Sequence, residues 1–560
     1  MRAHASTRCL LLALALAAAL ACSARTNGER AEAAREPAPT DDGAPVLLEN
    51  LGDHHHPVTT GSPLAQRYFD QGLILVFGFN HEAAIRSFEV AARLDPDCAM
   101  CSWGVALALG PNINLPMGPE AGRRAHAAAQ EALRRAPRAS ARERAYIEAL
   151  VQRYEAAPSE ERGALDLAYA NAMREVQRAD PQDVDAAVLL AESLMDLTPW
   201  DYWTADGEPR AYTAEILALL EGVLARDPTH VGANHYYIHA VEKQYPERGV
   251  AAAERLGSLA PDAGHLVHMP SHIFWRVGRY EDALEINQRA AAADEAFFSW
   301  CRAGPFYRAA YYPHNLHFLW ATASAEGRAE LAISTARKLE AETAPHVAAF
   351  PFLQEFLSIP MLTLARFGRF DAVLGAPTPA ADQRYGVGIW HYVRGLARVR
   401  SGALDAAAQE LDALDAVRQE PAAQQLMLAG GTASAATLLG IGSAHLRGEL
   451  ASARGERDAG IAALEQAVAL QDALAYMEPP PWYFPTRQAL GAALLDAGRA
   501  AQAEAVYRAD LEQYPRNGWS LYGLAQSLAA QGKRDEATWT QEGFRNAWAR
   551  ADVTLAASRF

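Results

Sequence analysis

Near the end of the chain, Gly498 and Gly532 stand 34 residues apart, as do Ala503 and Ala537, and Gly368 and Gly402 keep the same interval upstream. A recurrence of this length suits a unit of two helices and their turns. The first marks are flanked by Leu490, Gly491, Leu494, Tyr507 and Pro515, and the second by Leu524, Ala525 and Leu528. The same order appears early as Gly72, Leu75, Ala84, Phe88, Ala91 and Pro96, closing in LDPD. Small, large and small residues in this order fit two antiparallel helices with the small ones where they cross. A chain of 560 residues exceeds what one growing core supports, so several domains or an elongated array is expected. Abundant Ala and Leu with sparse β-branched residues predict an all-α fold.

The period and the order of residues resemble the tetratricopeptide-repeat (TPR) family. The resemblance is closest over 483–547 and 66–96, and looser over 264–295 and 353–420. Elsewhere, turns such as Ala179-Asp180-Pro181 and Arg226-Asp227-Pro228 end helices without keeping the interval. The resemblance implies a right-handed superhelix of antiparallel helix pairs, an α-solenoid, whose concave face binds an extended protein or peptide partner. The expected segments are N-terminal repeats over 61–230, a histidine-rich stretch over 231–345 and C-terminal repeats over 346–560.

Ahead of these, Arg2 and Arg8 precede an apolar run from Cys9 to Ala21, which has the length of a signal segment and is too short to span a bilayer. The run ends Ala19-Leu20-Ala21-Cys22-Ser23, resembling a bacterial lipobox with Ala19 where Leu is commonest. Residues 1–21 are therefore expected to be a signal peptide, with Cys22 the lipidation site and the protein exported to the periplasm or cell surface. Plain secretory cleavage after Ala21 is the alternative. Polar, Pro-bearing residues from 22 to 60 read as a flexible tether, and His54, His55 and His56 at its end as an exposed loop. Membrane contact is expected only through the anchor. A net charge of -16 argues against nucleic acid as a partner.

The sharpest departure from the repeat lies between His235 and His317, which hold seven of the 17 histidines. In NHYYIHAVE, His235, His239 and Glu242 share one helix face, so two imidazoles and a carboxylate point the same way. GHLVHMPSH supplies His265, His268 and His272, and PHNLHF supplies His314 and His317. Pro270 falls where a repeat would be mid-helix, so a late helix start with an irregular GHLVHM approach is expected. Neighbouring helix pairs touch, and three such blocks can converge. Imidazole-rich donors suit zinc, copper or iron. The bland alternative is a polar seam of hydrogen-bonded histidines.

Cys98 and Cys101, at a helix start, can be a redox or structural disulfide, two packed small residues or, less in keeping with the lack of a second CxxC, a soft-metal pair; Ser102 follows, so no c-type haem motif is formed. Three Pro-aromatic blocks interrupt the repeats: Gly110–Met117, Leu197–Trp203 and Glu478–Pro485. They are expected to plug a groove or cap a repeat, with an aromatic ligand pocket as the alternative. Motifs for serine hydrolases, phosphate loops and dinucleotide binding are missing from the sequence. The expected function is that of an exported binding or scaffold protein carrying a histidine-rich transition-metal site. The alternatives are a metal-dependent hydrolase or oxidoreductase, its catalytic residues unknown, or a metal carrier at the surface.

Overall fold

In the computed structural model, which describes residues 46–159, 161–300 and 303–560, one contact explains how each repeat is built. A Cβ placed on Gly491, in the Thr486–Asp496 helix, would lie 2.4 Å from the ring of Tyr507 in the antiparallel Ala500–Gln513 helix. Gly523 of the next helix pair meets the same ring from the other side, at 2.1 Å. Phe88 is wedged in the same way between Gly72 and Gly104. The large residue of the sequence pattern thus fills the crossing, and the small ones let the backbones approach it.

The 34-residue interval itself marks the turns. Gly498 (φ +74°) follows the Thr486–Asp496 helix, and its N–H and that of Arg499 bond to Leu495 O and Leu494 O at 2.9 and 2.8 Å. Gly532 (φ +75°) repeats this geometry after Gly518–Ala530, with bonds from Gly532 and Lys533 to Ala529 O and Leu528 O. This is the two-bond helix stop that needs a left-handed residue, which glycine supplies without a Cβ penalty. The described chain is all-α apart from one two-stranded antiparallel pairing, Met427–Leu428 with Ala433–Ser434. It is a series of antiparallel helix pairs, as the repeat predicts.

The array folds back on itself. Trp519 Nε1 in the Gly518–Ala530 helix donates to Ser324 O in the Tyr311–Ala325 helix at 3.0 Å, and Asp552 accepts from the amides of Ala329 and Glu330. Trp275, Tyr280, Trp320, Tyr514 and Trp519 share one hydrophobic core, so middle and late repeats are packed together. The Glu478–Pro485 segment fills the space between them. Tyr483 packs on Trp320 and His317, Phe484 on Trp320, and Trp482 against Tyr392. The block leaves a cavity lined by Pro479, Tyr483 and Phe484 together with Trp275, Trp320 and Trp519.

Two local expectations change. GHLVHM is helical: Gly264–His268 runs through Met269 (φ −51°, ψ −36°) into Pro270–Arg276. Pro270 sits at the first position of the second segment, where its missing N–H costs little, so the break is one hydrogen bond wide. Residues 46–60, read as the end of a tether, are pinned to the repeats: Leu48 N donates to Gln71, Thr59 N to Glu143, and Thr60 Oγ1 to Asp95. His54 and His56 are not in an exposed loop. Both rings contact Asp185 in the Val184–Met195 helix, at 3.1 and 2.6 Å, and His230 Nε2 reaches the same carboxylate at 3.1 Å. A buried acceptor in another repeat was invisible from the local His-rich tract. Residues 1–45, with the expected signal peptide and Cys22, lie outside the described residues. Cys98 and Cys101 form a disulfide, with Cα atoms 5.4 Å apart, at the start of the Ala99–Ala108 helix.

Candidate metal centre

Three helix pairs bring the histidine blocks together. Val231–Val241 carries His235 and His239, with Glu242 just past its end; Gly264–His268 and Pro270–Arg276 carry His265, His268 and His272; Tyr311–Ala325 carries His314 and His317. Two groups of three result. One nitrogen from each of His235, His239 and His265 lies within 4.8 Å of the others, and the same holds for His268, His272 and His314. His317 does not join them; it stacks on Trp320 with rings 5.5 Å apart and contacts Phe356 and Tyr483.

The ring nitrogens are held in a consistent sense. His235 Nδ1 meets the backbone carbonyl of Phe77 at 2.5 Å, so it carries the proton and leaves Nε2 with a lone pair. His239 Nδ1 meets Glu242 Oε1 at 3.2 Å. His268 Nδ1 meets Asn287 Oδ1 at 2.6 Å, and the amide is oriented by its own donation to Ala283 O. His272 Nδ1 lies between two carboxylates, Glu242 Oε2 at 3.0 Å and Glu478 Oε2 at 3.1 Å. With the Nδ1 protons of His235, His239 and His268 assigned to these acceptors, their Nε2 lone pairs face inward. Buried Nε2 atoms of His235 and His239, and both nitrogens of His265, have no hydrogen-bond partner. In the second group, His272 Nε2 is 3.1 Å from His268 Nε2 and 3.4 Å from His314 Nε2.

Separations of this size fit an N–H···N hydrogen bond between imidazoles, and they also fit two donors on one ion. Nitrogens bound tetrahedrally at roughly 2.0–2.1 Å are about 3.3 Å apart, close to the separations seen. Burial lowers the pKa of His272, but Glu242 and Glu478 outweigh it and raise the group to about 10. Burial drives His235, His265, His268 and His314 well below the usual imidazole value, with neighbouring histidines adding to the effect. Those four rings therefore stay neutral, the form that ligates. Glu242 is held down to about 2: burial opposes ionisation, and His272 and His239 overcome it.

Several neighbours of the candidate centre carried no recognisable pattern in the sequence: Phe77, Phe79 and Asn287. Phe79 holds φ +56°, unusual for a bulky residue, and its ring covers His235, His239 and His265 with centroids 4.7, 5.9 and 5.7 Å away. Each Pro-aromatic block also borders the site. Trp200 meets His239 edge-on at 5.0 Å and donates from Nε1 to Ile113 O of the Gly110–Met117 block. Glu478 opens the third block. The signal available from sequence was that all three blocks break the repeat.

No protein-family model matches the chain, and no curated protein matches it. Among solved structures it is similar to yeast Tom70, at 14% identity and TM-score 0.29 over 86% of this chain and 92% of that one. It is similar also to a chain of the APC/C hetero-tetramer Cut9-Hcn1, at 13% and 0.29 over 88% of each. A human IFIT1 dimer with m7Gppp-AAAA gives 12% and 0.29 over 88% and 92%. At these values the likenesses say nothing of what the chain does.

Proposed function

We propose that this protein binds a transition metal at the histidine stretch, using a helical-repeat scaffold whose own Pro-aromatic segments border the site. The observation that carries this is the convergence of six imidazoles in two groups of three, with Nδ1 of His235, His239 and His268 each facing an acceptor and Nε2 of His235 and His239 buried without a partner. A backbone carbonyl, carboxylates and an amide oxygen in that outer position are the usual partners of metal-bound imidazoles. A polar seam would instead use both ring nitrogens in hydrogen bonds, as His268 does, whereas His235 and His239 leave Nε2 free and His265 leaves both nitrogens free. Copper, zinc and iron all accept imidazole; a catalytic role would need an open coordination position.

The same proposal places the protein outside the cytoplasm, anchored through Cys22. Support comes from the apolar run Cys9–Ala21 and from the Cys98–Cys101 disulfide, which suits an oxidising compartment. A second reading, a scaffold for a protein partner, draws on the last helix, Arg534–Ala547, where no residue is buried and Trp539 is 82% exposed. That surface is where a partner would dock.

Elemental analysis of protein purified from metal-replete medium tests the proposal, repeated with His239→Ala and His268→Ala. Stoichiometric metal that falls in both variants supports it. Wild-type protein without metal sinks it, and metal unchanged in both variants shows that other residues are the ligands.

A further inference from the structure

Glu242 joins the two histidine groups. One carboxylate oxygen orients His239 in the first, at 3.2 Å, and the other lies 3.0 Å from His272 in the second. The groups face each other along two edges: His239 and His272 have ring centroids 5.9 Å apart, and so do His265 and His268. An outer carboxylate shared in this way ties the position of one group to that of the other. Two separate, unrelated sites would not need it.

Building on the metal-binding reading, we infer that the six histidines His235, His239, His265, His268, His272 and His314 hold a pair of copper ions, three imidazoles to each, and that the reduced pair takes up dioxygen. Three observations argue for this. First, each group offers three nitrogens, which leaves each ion an open place, as reactive sites do; Glu242 and Glu478 converge separately on the Nδ1 side of His272. Second, the centre is buried, and the donors are neutral imidazoles once His272, which sits between Glu242 and Glu478, has given up its proton to make room for an ion. Two divalent ions would bring four positive charges against the carboxylates of Glu242 and Glu478, with the Arg276 guanidinium already 3.5 Å from Glu478. Two monovalent ions halve that load, and burying uncompensated charge is costly. Copper alone among the metals that favour imidazole has a stable monovalent state. Third, the walls are aromatic: Phe79 covers the first group, Phe318 packs on His268, His272 and His314, and Tyr311 packs on His265. His314 is only partly buried, and Trp200, 39% exposed, stands at the rim beside His239.

The uptake step balances without a further reagent. Each Cu(I) gives one electron, dioxygen accepts both and becomes peroxide bound between two Cu(II) ions, and no proton is transferred. Total charge at the centre is the same before and after, so the buried carboxylates face the same load in both states.

Anaerobic titration of metal-free full-length protein with Cu(I), followed by elemental analysis, tests the pairing. Two ions per chain are expected, with one retained in His235→Ala and one in His314→Ala; circular dichroism shows which variants fold. His317→Phe should keep both. One ion per wild-type chain overturns the pair while leaving metal binding intact, and none overturns the metal reading itself. Since a variant that fails to fold reports nothing, wild-type protein decides the rest. On admission of dioxygen, an oxygen electrode should record one molecule consumed per two copper ions. The oxidised pair should give no electron paramagnetic resonance signal, because the bridged ions couple. Two bound ions without oxygen uptake, or with the signal of isolated Cu(II), overturn the dioxygen assignment.

Discussion

His272 Nδ1 lies 3.1 Å from Glu478 Oε2, which places the first residue of the Glu478–Pro485 block against a histidine on a helix from the middle of the chain. Glu478→Gln keeps the size of the side chain and removes its charge. Metal affinity should fall by about 10- to 100-fold, the usual effect of losing an outer-shell carboxylate. Competition with a chelator of known affinity measures it. An unchanged affinity would mean that Glu478 serves only to close the loop.

The strap at residues 46–60 is held by Asp185, which meets His54, His56 and His230. Asp185→Ala leaves buried imidazoles facing a lost partner and should cost about 3–5 kcal/mol, read from urea unfolding. Dependence on pH follows from two opposed shifts. Burial alone would raise Asp185, but hydrogen bonds from His230, His54 and His56 bring it well below its ordinary 3.8. Burial alone would lower His54, but Asp185 raises it above 6.5. Asp185 therefore contributes fully above pH 3.8 and loses its share as pH falls through its depressed value. His54 contributes fully below pH 6.5 and loses its share as pH rises through its elevated value. Proteolytic protection of the strap should be greatest between those two values; flat protection from acid to alkaline pH would show that the contact is not electrostatic.

Gly491 and Gly498 separate two kinds of glycine requirement. Gly491→Ala forces a methyl group to within 2.4 Å of the Tyr507 ring, whereas a Cβ at Gly498 meets nothing within 4 Å. Overpacking at Gly491 should cost about 1–3 kcal/mol. Gly498→Ala should cost roughly 1–2 kcal/mol, through its left-handed backbone alone. Tyr507→Leu in the Gly491→Ala background should recover part of the first loss and none of the second, by denaturant unfolding of the double variants.

Trp200 stands at the edge of the centre with 39% of its surface exposed. Trp200→Ala should leave overall stability within about 1 kcal/mol, as is usual for partly exposed positions. Transfer of bound metal to an external chelator should nevertheless become faster, because the ring covering His239 is gone. Equal transfer rates in variant and wild type would show that metal leaves by another route.

Much of the repeat was legible in the sequence. The spacing of Gly498 and Gly532 reflects a backbone geometry that only glycine enters cheaply, and Gly491 with Tyr507 reflects a local crossing of adjacent helices. The histidine blocks were legible too, because His235, His239 and Glu242 share a face set by helical period. Glu478 could not be placed: nothing local distinguishes it from a surface carboxylate before the array folds back. His317 shows the converse error of local pattern, since its spacing from His314 matches a ligand pair while its ring is taken up by Trp320 and Tyr483.

By itself, the sequence determined the helices, their stops and which imidazoles share a helix face, because these depend on steric rules acting within a few turns of chain. Only the tertiary structure decided that His239 and His272 lie beside one carboxylate, that Glu478 reaches His272, that His54 and His56 close on Asp185, and that the Glu478–Pro485 block packs between middle and late repeats. Those pairings depend on how repeats far apart in the chain curve and pack. That curvature is the sum of many small rotations between helix pairs, and no single residue encodes it.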